Sequence, residues 1–405
     1  MPGAAPVPDA PLPPSAPWSL EPTPAPAPTT VPELFEPVGT EGPPPVRVAV
    51  RRRRRWPVVV LALFVVVVVV ASRWNLNYYA LQPGSAQSVQ QFITVPPTKA
   101  HPVRHPVLLT DVQIARVNAL SYLYYQMQGD TSLEQVDDVT GGTAPSQLNA
   151  QGDLEMSQAE AAAKTAALRR LGYTVTATPS GAVIFGTFPG TPAYEALNVG
   201  DVVTAVNGVP TPTARALTTI LSKYHSGQTV ILTVRKGGTA APAPVPVTLR
   251  STVVDLGAGE NVTLDLGIEP EDQIDYAYPF PVTIDVTNIG GPSAGLAMTL
   301  GVIDALTSGS VTGGRTVAAT GTIDSAGDVG DVGGVAQKTV AVENAGASIF
   351  LVPPQEYGAA MSKDRPGLKV YAVSTLDQAL RVLAEHGGSV PATPTGSSAP
   401  SIAAG

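Results

Sequence analysis

Val282-Thr283-Ile284-Asp285-Val286, then Asn288-Ile289-Gly290-Gly291-Pro292-Ser293-Ala294-Gly295, then an apolar run to Leu306 is the stretch on which the reading of this chain turns. The first block alternates like a half-buried strand, the second is a glycine-rich turn, and the third predicts a helix from about Ala294 to Leu306. Glycines ahead of a helix leave backbone N–H groups pointing into open space at its positive end, a place for a developing oxyanion. Ser293 stands in that turn. A serine there also serves as an ordinary N-cap, and the turn alone leaves both roles open.

A second segment, Gly321-Thr322-Ile323-Asp324 leading to Gly333-Gly334-Val335-Ala336-Gln337-Lys338, narrows the choice. The spacing of Val335, Thr339, Val342 and Ala345 predicts a helix running to Gly346. No histidine lies between His225 and His386, so a hydroxyl nucleophile here has no imidazole of its own. A lysine replaces it when burial brings the amine from about 10.4 toward 7. Three lysines follow the turn, and Lys363 and Lys369 flank the polar loop Asp364-Arg365-Pro366-Gly367. That leaves Lys338, for which a solvated helix position is the alternative.

Upstream, residues 173–250 hold short strands and one helix. Val183-Ile184-Phe185 runs into Pro189-Gly190-Thr191-Pro192-Ala193, then Leu197-Asn198-Val199-Gly200-Asp201-Val202-Val203, then Val206-Asn207-Gly208-Val209. Asn-Gly between apolar residues signals a tight hairpin. Thr213 to Tyr224 predicts a helix with Leu217, Ile220 and Leu221 on one face, and Thr229 to Arg235 an alternating strand. Nearer the N-terminus, Tyr78 to Gly84 and Phe92 to Pro96 predict short strands. Ile114, Val117, Leu120, Tyr124 and Met127 predict an amphipathic helix over 112–127. Gly141-Gly142 and Pro145 predict a loop. Ser157 with Glu160 has the form of a capping box opening a helix that Gly172 closes.

Composition removes whole classes of function. With no cysteine among 405 residues there is no disulfide framework, thiolate nucleophile or Cys-ligated metal, and four scattered histidines make a His-built metal site unexpected. A net charge of −8 disfavours a nucleic-acid partner. Residues 1–45 contain 16 Pro and no Lys or Arg, which predicts a disordered arm. Arg51 to Arg55 precede Trp56 to Ser72, 17 residues without charge, at the short end of what crosses a bilayer as a helix. By the positive-inside rule the arginines stay cytoplasmic and Arg73 onward is exported.

The run from Gly190 to Gly208 resembles the PDZ domain of bacterial membrane-associated proteases. That resemblance implies binding of a peptide C-terminus or extended segment beside Leu217, Ile220 and Leu221, with Leu171-Gly172-Tyr173 as carboxylate loop. Gly291-Pro292-Ser293-Ala294-Gly295 and Gly333-Gly334-Val335-Ala336-Gln337-Lys338 together resemble the proteolytic domain of the Lon protease family. The chain as a whole is similar to the membrane-anchored, PDZ-containing Lon-like proteases of Gram-positive bacteria. This implies Ser293 as nucleophile, Lys338 as general base, Gly291, Pro292 and Ala294 as the oxyanion turn, and Thr320 as a supporting residue.

The expected fold is an α/β (α+β) Lon-type proteolytic domain plus a PDZ β-sandwich-like module and a single N-terminal transmembrane helix. The expected domains are a Pro-rich arm 1–55, a transmembrane helix 56–72, an N-terminal ectodomain segment 73–152, a helix plus PDZ domain 153–255, the proteolytic domain 256–386 and a disordered tail 387–405. The expected function is a cell-membrane serine endopeptidase without cofactor, metal or ATP, since no G-x-x-x-x-G-K-[ST] loop occurs. Its partners would be protein or peptide substrates and the membrane. Two readings compete with it: a catalytically idle PDZ scaffold, and a Ser-Lys hydrolase of non-peptide acyl groups.

Overall fold

The computed structural model describes residues 55–141, 143–255, 261–286, 290–363 and 366–391. Residues 58–405 form one unit and 1–57 another, of which Arg55 to Pro57 are described. Most of the Pro-rich arm, Arg51 to Arg54, Gly142, Asn288-Ile289, Asp364-Arg365 and the tail from 392 lie outside the described residues.

The principal elements begin with helix α1 (Trp56–Arg73), strands β1 (Asn75–Ser88) and β2 (Val107–Asn118), helix α2 (Ala119–Gln126), strand β3 (Ser132–Gln135) and helix α3 (Pro145–Arg170). There follow β4 (Thr176–Thr187), β5 (Val202–Val206), α4 (Ala214–Leu221), β6 (Thr229–Arg235), β7 (Ala243–Thr248) and β8 (Ile268–Ala277). The chain closes with α5 (Gly295–Leu306), β9 (Val317–Ala319), α6 (Val335–Asn344), β10 (Ile349–Val352), β11 (Lys369–Ala372) and α7 (Leu376–Glu385).

One six-stranded sheet, in the order β11-β10-β9-β2-β1-β3, organises the larger domain. β2, β9, β10 and β11 pair in parallel, while β1 is antiparallel to both neighbours. Its central strands β9 and β10 are apolar on both faces because both are covered. Val107, Leu109, Val317, Ala319, Ile349 and Leu351 join the core with α3, α5 and α7. Leu108, Ala318, Phe350 and Val352, the intervening positions, meet Val335 and Val342 of α6 in a second core. Every residue of α5 is buried, which explains a helix apolar on all sides.

The structure moves several expected boundaries. Residues 73–152 are not a segment apart, since β1 and β2 lie inside this sheet. The helix expected over 112–127 is a strand up to Asn118 and a helix only from Ala119. Over 112–118 the strand is only half-buried, with Gln113, Ile114 and Arg116 exposed, and Ile114 and Val117 stand three apart without any helix behind the spacing. α3 starts at Pro145, twelve residues ahead of Ser157, with proline at the first helical position where its missing N–H costs nothing. Glu160 therefore lies in the helix interior and accepts the Val286 N–H at 3.3 Å instead. Of the strand expected over 282–286, only Thr283–Ile284 pairs, with Ile93–Thr94.

The smaller module is an insertion. Its sheet runs β8-β4-β5-β6-β7, and its core joins Ala182, Ile184, Val203, Leu217, Leu232 and Leu266. Met156 to Leu168 of α3, Val175 and then Tyr276, Tyr278 and Phe280 all pack in the first core. The chain thus leaves the larger domain after Val175 and re-enters at Tyr276, so boundaries at 153 and 256 cut through α3 and detach β8 from its sheet. The Asn207-Gly208 hairpin forms as expected, both residues with positive φ (47° and 79°). At the far end Ser389 donates to the Ser310 carbonyl at 2.8 Å, so 387–391 are part of the folded domain rather than tail.

A piece spanning 256–391 lacks β1, β2 and α3 and should fail to fold, whereas 74–391 should melt cooperatively. Circular dichroism of the two on heating checks this.

Candidate active site

The turn before α5 is held by its carbonyl. Ser293 O accepts the Gly321 N–H at 2.9 Å and the Thr320 hydroxyl at 3.2 Å. Leu296 N–H donates back to Gly321 O at 3.1 Å, which locks the start of α5 against the end of β9. Gly291 N–H is spent on the Gly152 carbonyl of α3 at 3.3 Å, and Pro292 has none. Pro292–Ala294 forms a single 3-10 turn ahead of α5, which draws the Ala294 N–H into the turn, so of the turn's N–H groups that of Ser293 itself remains for an oxyanion.

Lys338 approaches from the other side. Gly334 sits at φ +68° immediately before α6, and a Cβ there would lie 2.6 Å from Val112 Cγ2, so only glycine lets α6 begin so close to β2. Lys338, four residues on, is 3% exposed, and its Nζ donates to Thr320 Oγ1 at 3.2 Å. Thr320 Oγ1 thus accepts from the lysine and donates to the serine's own carbonyl. Ser293 and Lys338 line one cavity of about 490 Å³ with Leu81, Asp111, Gln113 and Ile114. Ser293 Oγ makes no direct hydrogen bond to Lys338 here, and such contacts commonly tighten only when substrate enters.

Burial lowers the Lys338 amine to about 8, against an upward pull from Asp111 and then Glu356. Asp111 escaped the reading of the sequence. It sits in β2 with its carboxylate held by Ser85, from the backbone N–H at 2.6 Å and the hydroxyl at 2.9 Å. A register shift between Pro83 and Ala86 in β1 makes room for it. An acidic residue just after the apolar run Val107-Leu108-Leu109 was the available signal.

The residues expected to bind peptide are placed differently. Leu171-Gly172-Tyr173 ends α3 in a Schellman pattern, with Tyr173 N–H on Leu168 O at 2.9 Å and Gly172 N–H on Arg169 O at 2.9 Å. Tyr173 then packs edge-on against Phe280, centroids 5.0 Å apart, in the larger domain. Leu217 is fully buried in the module's core, while Ile220 and Leu221 are partly exposed. The loop that opens the edge strand beside α4 is instead Leu266-Gly267-Ile268, with the α4 N-terminus touching β8 where Ala214 N–H donates to Asp272 at 2.7 Å. Gly267 has φ +80°, and a Cβ there would collide with the Thr191 side chain. This Leu-Gly-Ile has the same form as 171–173, and only the pairing of β8 separates the two.

Where α3, β4, β8 and the serine turn meet lies a second cavity of about 280 Å³, lined by Glu155, Gln158, Phe185, Glu271, Pro292 and Ile323. Gln158 donates to Glu271 at 3.0 Å, and burial followed by the charge of Glu271 pushes the Glu155 carboxyl up.

Residues 282–385 match the Lon protease (S16) C-terminal proteolytic domain, and residues 162–235 match the PDZ domain. Lon protease 2 of Bacillus subtilis (strain 168) is 35% identical over 128 residues, 31% of this chain and 22% of that protein. The Lon protease of Chloroflexus aggregans (strain MD-66 / DSM 9485) is 31% identical over 121 residues, 29% of this chain and 14% of its own length. This chain therefore spans less than a quarter of the curated relatives it matches. Among solved structures, the PDZ domain of the SdrC-like protein from Listeria monocytogenes aligns at 19% identity, covering 22% of this chain and 87% of that one, with a TM-score of 0.18. The match makes residues 282–385 a Lon-type proteolytic domain, here of mixed α/β architecture. The chain carries that domain together with a PDZ domain inserted in it, β7 and β8 lying beyond the PDZ match.

Asp111→Asn removes the anion nearest in effect to the Lys338 amine, so the rise of activity with pH should move to lower pH, read from initial rates across a buffer series. The lysine's folded value lies below its unfolded one, so the unfolded state holds the extra proton between about pH 8 and the ordinary lysine range. The cost of burying it is full below pH 8 and relieved as pH rises. Lys338→Met should therefore stabilise the fold at pH 7 by on the order of 2 kcal/mol while abolishing activity, measured by urea unfolding.

Proposed function

We propose that this protein is an ATP-independent serine endopeptidase, anchored in the cell membrane by α1, with its N-terminus cytoplasmic and its catalytic domain outside. Its PDZ domain selects exported or membrane proteins by an extended or C-terminal segment. The observation that carries the reading is a buried lysine, its amine lowered to about 8, on the wall of the cavity that holds a serine at a helix start.

Ser293 is the nucleophile and Lys338 the general base. As Ser293 Oγ bonds the scissile carbonyl carbon, its proton passes to the neutral Nζ, and the Ser293 N–H at the turn receives the oxyanion. When the C–N bond breaks, Nζ returns the proton to the departing amine. Water then enters by the same exchange and frees the serine. With an amine at about 8, roughly a tenth of it is neutral at pH 7, and activity rises with pH until about 8 and levels above it. Thr320 keeps the two groups in register through its hydroxyl.

The PDZ reading is supported by β8 being an edge strand beside α4, open to an added strand. The anchor is supported by α1, 18 residues whose side chains find no burial in the fold, preceded by five arginines.

The decisive assay is cleavage of an unstructured protein by the parent, Ser293→Ala, Lys338→Ala and Lys338→Arg, without ATP or metal. The parent should cleave, and each variant should lose at least a hundredfold, arginine included because guanidinium keeps its proton. Cleavage retained by folded Ser293→Ala places the catalyst elsewhere. No cleavage by the parent at any pH leaves a PDZ scaffold.

A further inference from the structure

Part of the apolar stripe of the amphipathic helix that the sequence predicts points outward. On α2, Leu120, Leu123, Tyr124 and Met127 stand at i, i+3, i+4 and i+7, and are 45%, 63%, 59% and 88% exposed. The opposite face is fixed. Asn118 and Ser121 close a capping box, Tyr122 packs on Tyr78 of β1 with centroids 5.5 Å apart, and Gln82 of β1 donates to the Tyr125 hydroxyl at 3.3 Å. The stripe therefore cannot roll inward. From Val117 to Gly129 the chain carries no charge.

The position of α2 decides what covers the stripe. Trp74 N–H donates to the Val70 carbonyl at 3.0 Å, continuing α1 by one residue. The Trp74 carbonyl accepts the N–H of Ala119, the first residue of α2, at 2.9 Å. Trp74 itself is 66% exposed. α2 is thus hydrogen-bonded to the residue at which α1 ends, where tryptophan and tyrosine favour the boundary between lipid and water.

We propose that α2 is a second membrane contact, lying in the outer interfacial layer of the bilayer with Leu120, Leu123, Tyr124 and Met127 immersed and Trp74 beside them. An uncharged helix with one apolar stripe, tethered at the membrane surface, has the lipid interface as its nearest apolar phase. This contact rests on α1 spanning the membrane. It fixes the proteolytic domain against the bilayer at two points, the helix exit and α2, so that the cavity holding Ser293 is presented at a set orientation to the membrane.

The native chain has no cysteine, so a single introduced one is unique. The full chain in phosphatidylcholine–phosphatidylglycerol vesicles would carry an environment-sensitive fluorophore at Leu123→Cys, at Val65→Cys in the middle of α1, or at Ala384→Cys on the outward face of α7. The label at 123 should be quenched by lipids with a nitroxide high on the acyl chain and protected from aqueous iodide several-fold relative to 384, while the label at 65 is quenched by a nitroxide deep in the chain. A label at 65 in lipid with a label at 123 as open to iodide as that at 384 overturns the contact and leaves the anchor standing. A label at 65 that lipid nitroxides do not reach overturns the anchor and the contact with it. Protection at 123 that grows with protein density and shows no lipid quenching assigns the stripe to a second copy of the chain and overturns the contact.

Discussion

One hydroxyl ties the candidate site together. Thr320 Oγ1 gives its proton to the carbonyl of Ser293 and receives one from Lys338 Nζ, each at 3.2 Å, in a place with no exposure. The Ser293 backbone and the Lys338 amine are thereby referred to the same atom just beyond β9. A buried hydroxyl with both hydrogen-bonding capacities used is costly to displace. The rest of the domain serves that arrangement: β2 and β1 set the floor of the cavity, glycine at 334 lets α6 close on β2, and the adjoining Gly321 amide pins the serine turn.

The inserted PDZ domain shares its supports with this site. α3 ends where the insertion begins, lends its Gly152 carbonyl to the serine turn and its Gln158 side chain to Glu271 of β8. β8 runs from the Leu266-Gly267-Ile268 loop directly into Tyr276, Tyr278 and Phe280, which are packed in the larger core. The edge strand β8 and the Ser293 turn therefore follow one another along the chain, and both lean on α3. Two chain crossings rather than one linker join the domains, which restricts their relative motion far more than a single flexible connection does.

Charge divides the molecule in the same sense. Burial draws the Lys338 amine down, while Asp111 and Glu356 oppose that and keep it near 8 rather than lower. In the proposed mechanism burial supplies a neutral amine near neutral pH, and the two carboxylates keep it basic enough to take a proton. The stability sacrificed at Lys338 is offset by cores that bury both faces of the central strands.

What could be read from residues alone was local. The Gly291–Gly295 turn, the helix after it, the Asn207-Gly208 hairpin and the α6 helix with Lys338 follow from glycine placement and short-range periodicity, which neighbouring residues dictate. Pairing across long sequence separation was not legible. Nothing local says that β1 and β2 sit beside β9, that the PDZ domain interrupts the proteolytic one, or that Leu266-Gly267-Ile268 rather than Leu171-Gly172-Tyr173 opens the edge strand. Asp111 became part of the site only when the sheet carried it beside Lys338. The stripe on α2 is the same limit seen at a surface: spacing fixes which residues share a face, and only the tertiary packing of Tyr122 and Tyr125 on β1 decides that this face looks outward.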